Sequence, residues 1–200
     1  MRDGDKLFAG AIPALYDRLF VPLIFQPNAE DIAPRVAAGN PSSVLEIAAG
    51  TGAVTRVLAP LLGKTCRYVV TDLNEPMLDH ARSRQPEDPR ITWRVADALA
   101  LPFEEKSFDV VVCQFGVMFF PDRIAGYREA LRVTRPGGRF IFSTWGELGR
   151  NDFAACLTGA LAEFFPDHPP DFIARVPHGY HDPARIRSDL ESAGYRFITV

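Results

Sequence analysis

Short apolar runs alternate along the chain with stretches in which apolar positions recur every three or four residues. The runs at residues 44–48, 67–71, 91–96, 108–115 and 139–145 read as buried strands. Residues 108–115 are apolar at nearly every position, as a central parallel strand is. Between the runs, Val54, Val57, Leu58, Leu61 and Leu62 fall at helical spacing. Asn74 is placed to cap a helix with Pro76 in its first turn, where a missing N–H does no harm. Residues 122–134, 152–165 and 183–193 predict further helices. The alternation predicts an α/β fold: a Rossmann-like, mostly parallel sheet with helices on both faces.

Two segments lie outside this alternation. Residues 7–38 read as two helical pieces broken by Pro22 and Pro27, the second kinked at Pro34. Residues 146–182 hold Phe153, Phe164, Phe165, Phe172 and Tyr180 between prolines. Such segments tend to cover the carboxyl ends of the strands, where open α/β sheets bind ligands. The expected organisation is an N-terminal helical lid over residues 1–40 and one domain over 41–200, with 146–182 as a substrate-covering insertion. Residues 7–20, interrupted by Gly10 and Pro13, are expected to be mobile without ligand.

The chain has 200 residues, 47% of them hydrophobic, enough for one sizeable core. A formal net charge of -3 gives no basic excess for nucleic acid or an anionic membrane. The three cysteines, Cys66, Cys113 and Cys156, are scattered without CxxC spacing, so neither a disulfide framework nor a metal site is expected. The polar N-terminus leads into no signal-type apolar stretch, and residues 110–120 are too few to span a bilayer. A soluble, cytoplasmic protein is the expectation.

The candidate chemistry begins at Glu46-Ile-Ala-Ala-Gly-Thr-Gly52, a tight strand-to-helix turn. Gly50 and Gly52 let the backbone bend and a ligand approach, and the helix beyond offers free N–H groups. A dinucleotide would put its pyrophosphate there; S-adenosylmethionine would put its amino-acid end there. Glu46 is awkward beside pyrophosphate and useful beside an ammonium. Asp72 ends the second strand about 20 residues on, where a ribose-binding acid stands in nucleotide folds. Asp97 ends the third strand, where it can accept an adenine amino group while the N–H of Ala98 or Leu99 faces a ring nitrogen.

Val44-Leu-Glu-Ile-Ala-Ala-Gly-Thr-Gly52, Asp72, Asp97-Ala-Leu-Ala-Leu-Pro-Phe103, Ser107-Phe-Asp-Val-Val-Val112 and Leu131-Arg-Val-Thr-Arg-Pro-Gly-Gly-Arg-Phe-Ile141 resemble the ordered motifs of class I S-adenosylmethionine-dependent methyltransferases. The resemblance covers residues 40–145 and is strongest to the small-molecule branch that includes ubiquinone/menaquinone-biosynthesis enzymes. Phe8-Ala-Gly-Ala-Ile-Pro13 and Tyr16-Asp-Arg18 are similar to the lid of one subgroup. The resemblance implies a class I methyltransferase fold that binds S-adenosylmethionine and acts on a small, hydrophobic acceptor. It puts Glu46 near the methionine ammonium, Ala48, Gly50 and Gly52 in the turn, and Asp72 on the ribose. Leu73 and Met77 pack by the adenine, Asp97 and Ala98 read its edge, Gln114 lies beside the methionyl group, and Tyr16 closes over it. The family usually has Gly where Ala48 stands; a methyl there is tolerable if φ is negative.

Alternatives remain at this point. Ala48-x-Gly50-x-x-Ala53 also reads as a degraded dinucleotide fingerprint, hence an NAD-dependent oxidoreductase; a non-catalytic S-adenosylmethionine-binding protein is the third reading. His178 and His181, in the segment expected over the cleft, are the weak candidates for a general base, and His80 reads as a surface residue. The C-terminal strands are incomplete for the fold resembled, since only residues 195–200 form a β-like run after the last helix. Two outcomes are open there: irregular docking of 195–200, or pairing with another chain as a homodimer.

Overall fold

The computed structural model describes residues 10–200, so Phe8 of the lid motif lies outside the described residues. Five parallel strands form the sheet: β1 (Ser43–Glu46), β2 (Arg67–Asp72), β3 (Ile91–Val95), β4 (Phe108–Gln114) and β5 (Thr134–Ser143), in the order β3-β2-β1-β4-β5. Parallel neighbours need crossovers, which these helices supply: α3 (Ala53–Leu58), α4 (Glu75–Arg84) and α5 (Arg123–Val133). The chain winds outward from β1 to β3, then returns to the other side of β1 with β4. That reversal leaves a crevice at the carboxyl ends of β1 and β4, the topological switch point of such sheets.

Side-chain alternation along the strands divides the core in two. Leu45, Ile47, Val69, Val111 and Cys113 face one side, against α5 and α8 (Pro183–Ala193). Val44, Tyr68, Val70, Val110 and Val112 face the other, against α3 and α2 (Gln26–Ala37). Both faces of β1 and β4 are therefore buried, which is why Val44-Leu45 and Val110 to Cys113 are apolar without alternation. The α/β architecture expected from the sequence is the one observed.

The N-terminal segment departs from expectation. A short α1 (Ile12–Leu15) runs into a ten-residue π-helical stretch, Tyr16–Phe25, and then into α2. Gln26 N–H bonds back to the Val21 carbonyl, five residues earlier. Pro22 sits inside this stretch, and Pro27 falls in the first turn of α2, where it starts a helix rather than breaking one. Residues 10–20, expected to be loosely held, are helical from Ile12 onward and carry the packed side chains of Tyr16 and Asp17.

Two further differences concern the second half. β5 begins at Thr134 rather than 139, because Arg135-Pro-Gly-Gly138 is absorbed as an irregularity: Phe108 pairs Thr134, and Val110 pairs Arg139. Residues 195–200 form no strand, and Phe197 is 99% exposed. The outer edge of β5 is unpaired among the described residues. Helices α6 (Asp152–Phe164) and α7 (Phe172–Arg175) fill the connection from β5 to α8. Among the described residues no helix is long and apolar enough to cross a membrane, and no cluster of side chains could hold a metal ion.

Candidate functional site

The crevice opens into a cleft of about 1160 Å³, its mouth included. It lies where the turns after β1, β2, β3 and β4 meet the N-terminal helical segment. Of the residues singled out from the sequence, Tyr16, Glu46, Ala48, Gly50, Asp72, Leu73, Met77, Asp97, Ala98 and Gln114 all line it. Gly52 does not. It sits one position deeper, at φ 79°, where a Cβ would lie 3.0 Å from that of Ala81 on α4. Its role is to let α3 and α4 approach.

Glu46 ends β1 with its side chain 2% exposed. Thr55 donates to its Oε2 at 2.8 Å, and the Tyr68 hydroxyl donates to the same oxygen. Desolvation by burial pushes the carboxyl up to about 7, against the two hydroxyl hydrogen bonds that favour its charged form. Asp72 ends β2, 7% exposed. Its Oδ2 accepts the Gly50 N–H at 2.8 Å and its Oδ1 the Asn74 N–H at 2.8 Å. Burial raises this carboxyl too. Asp72 therefore holds the glycine turn in place as well as facing the cleft, so its removal would disturb the turn. Asp97 uses Oδ1 to accept the Leu99 N–H at 2.9 Å, which takes that N–H away from any ligand and leaves the Ala98 side of the turn to face one.

Among the described residues the lining contains Glu46, Asp72 and Asp97 and no lysine, arginine or histidine. Two buried polar atoms of lining residues, Thr51 Oγ1 and Gln114 Oε1, have no hydrogen-bond partner among the described residues. The other end of the Gln114 carboxamide donates to the Phe25 carbonyl at 3.2 Å. Buried polar groups are almost always satisfied, so an unmatched hydroxyl and carbonyl on one cleft point to ligand groups that complete them. The site thus offers acceptors for a cation at Glu46 and Gln114, and a hydroxyl donor at Thr51.

The apolar wall is aromatic. Tyr16 stacks on Phe25 at 4.8 Å between ring centroids, Phe25 meets Phe115 edge-on at 5.9 Å, and Phe115 stacks on Trp145 at 3.8 Å. Phe119 and Phe120 complete it. The Phe-rich segment 146–182, expected to cover the cleft, contributes no lining residue. Phe164 and Phe165 point to solvent, 81% and 53% exposed. That segment acts from behind: Phe172 packs on Phe119, and His178 lies 6.1 Å from the Trp145 ring. His178 is buried with its Nδ1 donating to the Gly146 carbonyl at 2.7 Å, and the exposed His181 bonds to the His178 carbonyl. Neither is among the residues that line the cleft. His80 is no free surface residue either, since its Nε2 lies 3.1 Å from Asp17.

Thr51, Phe25, Phe115 and Phe119 were missed in the sequence. Thr51 stands inside the glycine motif and could have been included. Phe25 reaches the cleft only because of the π-helical spacing.

Ala48 adopts φ 54°, the left-handed region, contrary to the negative φ under which its methyl would be harmless. Phe115 does the same at 52°. The two strained residues meet at Gly116, where an added Cβ would lie 2.5 Å from the Ala48 methyl and 2.6 Å from Cys113 Sγ. Strain of this kind concentrates at binding sites.

With the geometry in hand, comparison with known proteins places the chain. A methyltransferase-domain family model matches residues 45–142. A demethylmenaquinone methyltransferase of a Mycobacterium species is 32% identical over 166 residues, 78% of this chain and 69% of the relative. A ubiquinone/menaquinone biosynthesis C-methyltransferase of Dinoroseobacter shibae is 41% identical over 126 residues, 58% of this chain and 46% of the relative. A crystal structure of a SAM dependent methyltransferase from Aquifex aeolicus shares the fold with a TM-score of 0.70 at 16% identity, covering 92% of this chain and 88% of that one. The chain belongs to the class I S-adenosylmethionine-dependent methyltransferase family. It spans between 41% and 49% of the length of the ubiquinone/menaquinone C-methyltransferases it matches.

Two predictions arise here. Ala48→Gly relieves the left-handed strain and should raise unfolding stability by about 1 kcal/mol. Gly116→Ala should cost about 2 kcal/mol by overpacking. The double variant should recover part of that cost, and strict additivity in chemical denaturation would show that the two sites do not clash. The second prediction concerns pH. The folded Glu46 carboxyl releases its proton near pH 7, whereas an exposed one does so near 4.5. The fold therefore binds the proton more tightly, and this group's stabilisation is full below about pH 4.5 and lost as pH rises through 7. Glu46→Gln should raise the stability of the ligand-free chain by about 2 kcal/mol at pH 8 and by little at pH 4.5. An equal effect at both pH values would place the titration elsewhere.

Proposed function

We propose that this chain transfers the methyl group of S-adenosylmethionine to a small, apolar, ring-bearing acceptor. The observation that carries this reading is the charge of the cleft: three acidic side chains and, among the described residues, no cationic one. A dinucleotide would bring a pyrophosphate to these acids, which opposes the NAD reading. S-adenosylmethionine brings an ammonium and a sulfonium, which the acids suit.

In this reading, Glu46 and Gln114 Oε1 accept from the ammonium and Thr51 donates to the carboxylate. Asp72 accepts from the ribose hydroxyls while its other lone pairs hold the turn. Asp97 and the backbone of Ala98 take the adenine edge, with Leu73 and Met77 against its faces. The turn at Ala48 and Gly50 lets the ligand come close to the backbone. Bound S-adenosylmethionine supplies an electrophilic methyl group on a positively charged sulfur. The protein's own contribution is alignment and the exclusion of water by Tyr16, Phe25, Phe115 and Phe119. Charge on sulfur disperses toward the transition state, so an apolar wall does not oppose the transfer. No histidine lines the cleft, so any proton the acceptor loses goes to one of the lining acids or to water. The aromatic wall and the names of the relatives, ubiquinone/menaquinone biosynthesis C-methyltransferase and demethylmenaquinone methyltransferase, both support a planar ring acceptor.

Calorimetry with S-adenosylmethionine, S-adenosylhomocysteine and NAD tests the cofactor. S-adenosylhomocysteine, which keeps every group read by Glu46, Asp72 and Asp97, should bind about as well as S-adenosylmethionine. Binding of NAD alone would overturn the reading. Asp72→Asn presents an amide donor to the Gly50 N–H or to the ribose and should weaken both nucleosides at least tenfold, since a charge-assisted bond contributes about 1.5–3 kcal/mol. Turnover on a panel of quinols, phenols and amines then tests methyl transfer. Tight cofactor binding without turnover on any of them would favour a non-catalytic binder.

A further inference from the structure

One carboxylate of the N-terminal segment stands apart from its surroundings. The Asp17 side chain is 10% exposed, next in sequence to Tyr16, and two guanidinium groups and an imidazole from two other helices converge on it. From α3, Arg56 Nη2 donates to Oδ1 at 2.8 Å. From α4, His80 Nε2 lies 3.1 Å and Arg84 Nε 3.4 Å from Oδ2. Burial alone would raise the Asp17 carboxyl, but the adjacent His80 imidazole and the Arg56 hydrogen bond outweigh it and hold the group below its usual range. Arg56 is shared, because its Nη1 donates to the Thr51 carbonyl at 2.6 Å. One guanidinium therefore ties the N-terminal segment to the glycine turn that lines the cleft.

The rest of that segment is poorly anchored. Ile12, Leu15, Leu19 and Leu23 are 41%, 43%, 52% and 59% exposed. Only Tyr16, Val21 and Phe25 turn into the cleft, at the four-to-five-residue spacing of the π-helical stretch. A helix that exposes this much apolar surface gains little from burial, so an ion-pair cluster has a large say in where it sits.

We infer that Asp17 is a positioning residue, a latch that holds the Tyr16–Phe25 stretch over the cofactor cleft through Arg56, His80 and Arg84 and so sets the rate of cofactor release. This inference rests on the S-adenosylmethionine reading for its ligand but not for its mechanics. Tyr16 and Asp17 are consecutive, so the helical backbone at Tyr16 cannot swing away from the cleft without pulling the Asp17 carboxylate from its partners. Losing one partner of a partly buried, hydrogen-bonded pair acts on dissociation more than on association.

Asp17→Asn keeps the shape and removes the charge. In stopped-flow measurements on the full chain, S-adenosylhomocysteine should dissociate about tenfold faster, with the association rate little changed. Raising the salt concentration should speed release from the wild type and leave the variant flat. Asp17→Glu should restore part of the slow release. Independently of any ligand, hydrogen–deuterium exchange over residues 12–25 should rise in Asp17→Asn while β1 and β4 stay protected. Should that variant fold poorly, Arg84→Gln, whose side chain is 63% exposed, removes the outermost partner and should accelerate release by a smaller factor with the fold intact. Wild-type exchange over 12–25 together with wild-type release would overturn the latch. A wild-type chain that binds no S-adenosylhomocysteine, with exchange still raised in the variant, would sink the cofactor reading and leave the latch standing.

Discussion

The bond from the Gly50 N–H to Asp72 Oδ2, 2.8 Å long, is the interaction on which the cleft depends. It fastens the turn after β1 to the end of β2, and it fixes the one backbone path that leaves Ala48, Gly50 and Thr51 facing inward. The bond is strong because the acceptor is charged and out of water. The same burial makes the charge costly, and the protein meets this with N–H and hydroxyl donors rather than with a cation. Asp72 takes two backbone N–H groups, and Glu46 takes two hydroxyls on a single oxygen. Both acids are left under-compensated, and both carboxyls are pushed up. A ligand that brings positive charge relieves a cost the empty fold already bears. Affinity and the marginal stability of the ligand-free site are then two readings of one electrostatic debt.

The aromatic wall shows the same pattern in packing. Phe115 is held in a left-handed conformation with its ring stacked parallel on Trp145, and Gly116 is the residue that makes room for the Ala48 methyl beside it. The Ala48 methyl fills the space that Gly116 leaves open. The pair is locally consistent although each conformation is unfavourable alone. Such mutual dependence is how a strained site persists inside a stable fold.

The strands and the polar residues at their ends were legible in the sequence for one reason. In a parallel sheet the carboxyl ends gather on one edge, so an acid or glycine that ends an apolar run is placed by topology alone. Glu46, Asp72, Asp97 and Gln114 needed no contact information to be brought together. What fails is whatever depends on packing between distant segments. Residues 146–182 looked like a cover because they are rich in phenylalanine, yet Phe164 and Phe165 face solvent and the segment braces the wall through His178 and Phe172. Residues 195–200 alternate like a strand, yet they do not pair with the open edge of β5, and Phe197 stays in water. The sign of φ at Ala48 was equally out of reach, since it is set by the turn around it.

The N-terminal segment is the most instructive case, because the wrong period hid the right residues. Read at 3.6 residues per turn, Tyr16, Val21 and Phe25 do not share a face, and Pro22 and Pro27 look like breaks. With bonds reaching five residues back, the three side chains line up on the cleft and the leucines at 15, 19 and 23 fall outside. A π-helical stretch is uncommon and stabilised by little of its own, and such stretches are found mostly where function requires them. Here it does two things an ordinary helix at this position would not. It sets Phe25 where its carbonyl can take the Gln114 amide, and it turns Asp17 toward α3 and α4 while its neighbour Tyr16 faces the ligand. The sheet supplies a site that is open on one side. The irregular helix encloses that side with rings on one face and a charge on the next, so the part of the cleft least anchored by burial is the part held by electrostatics.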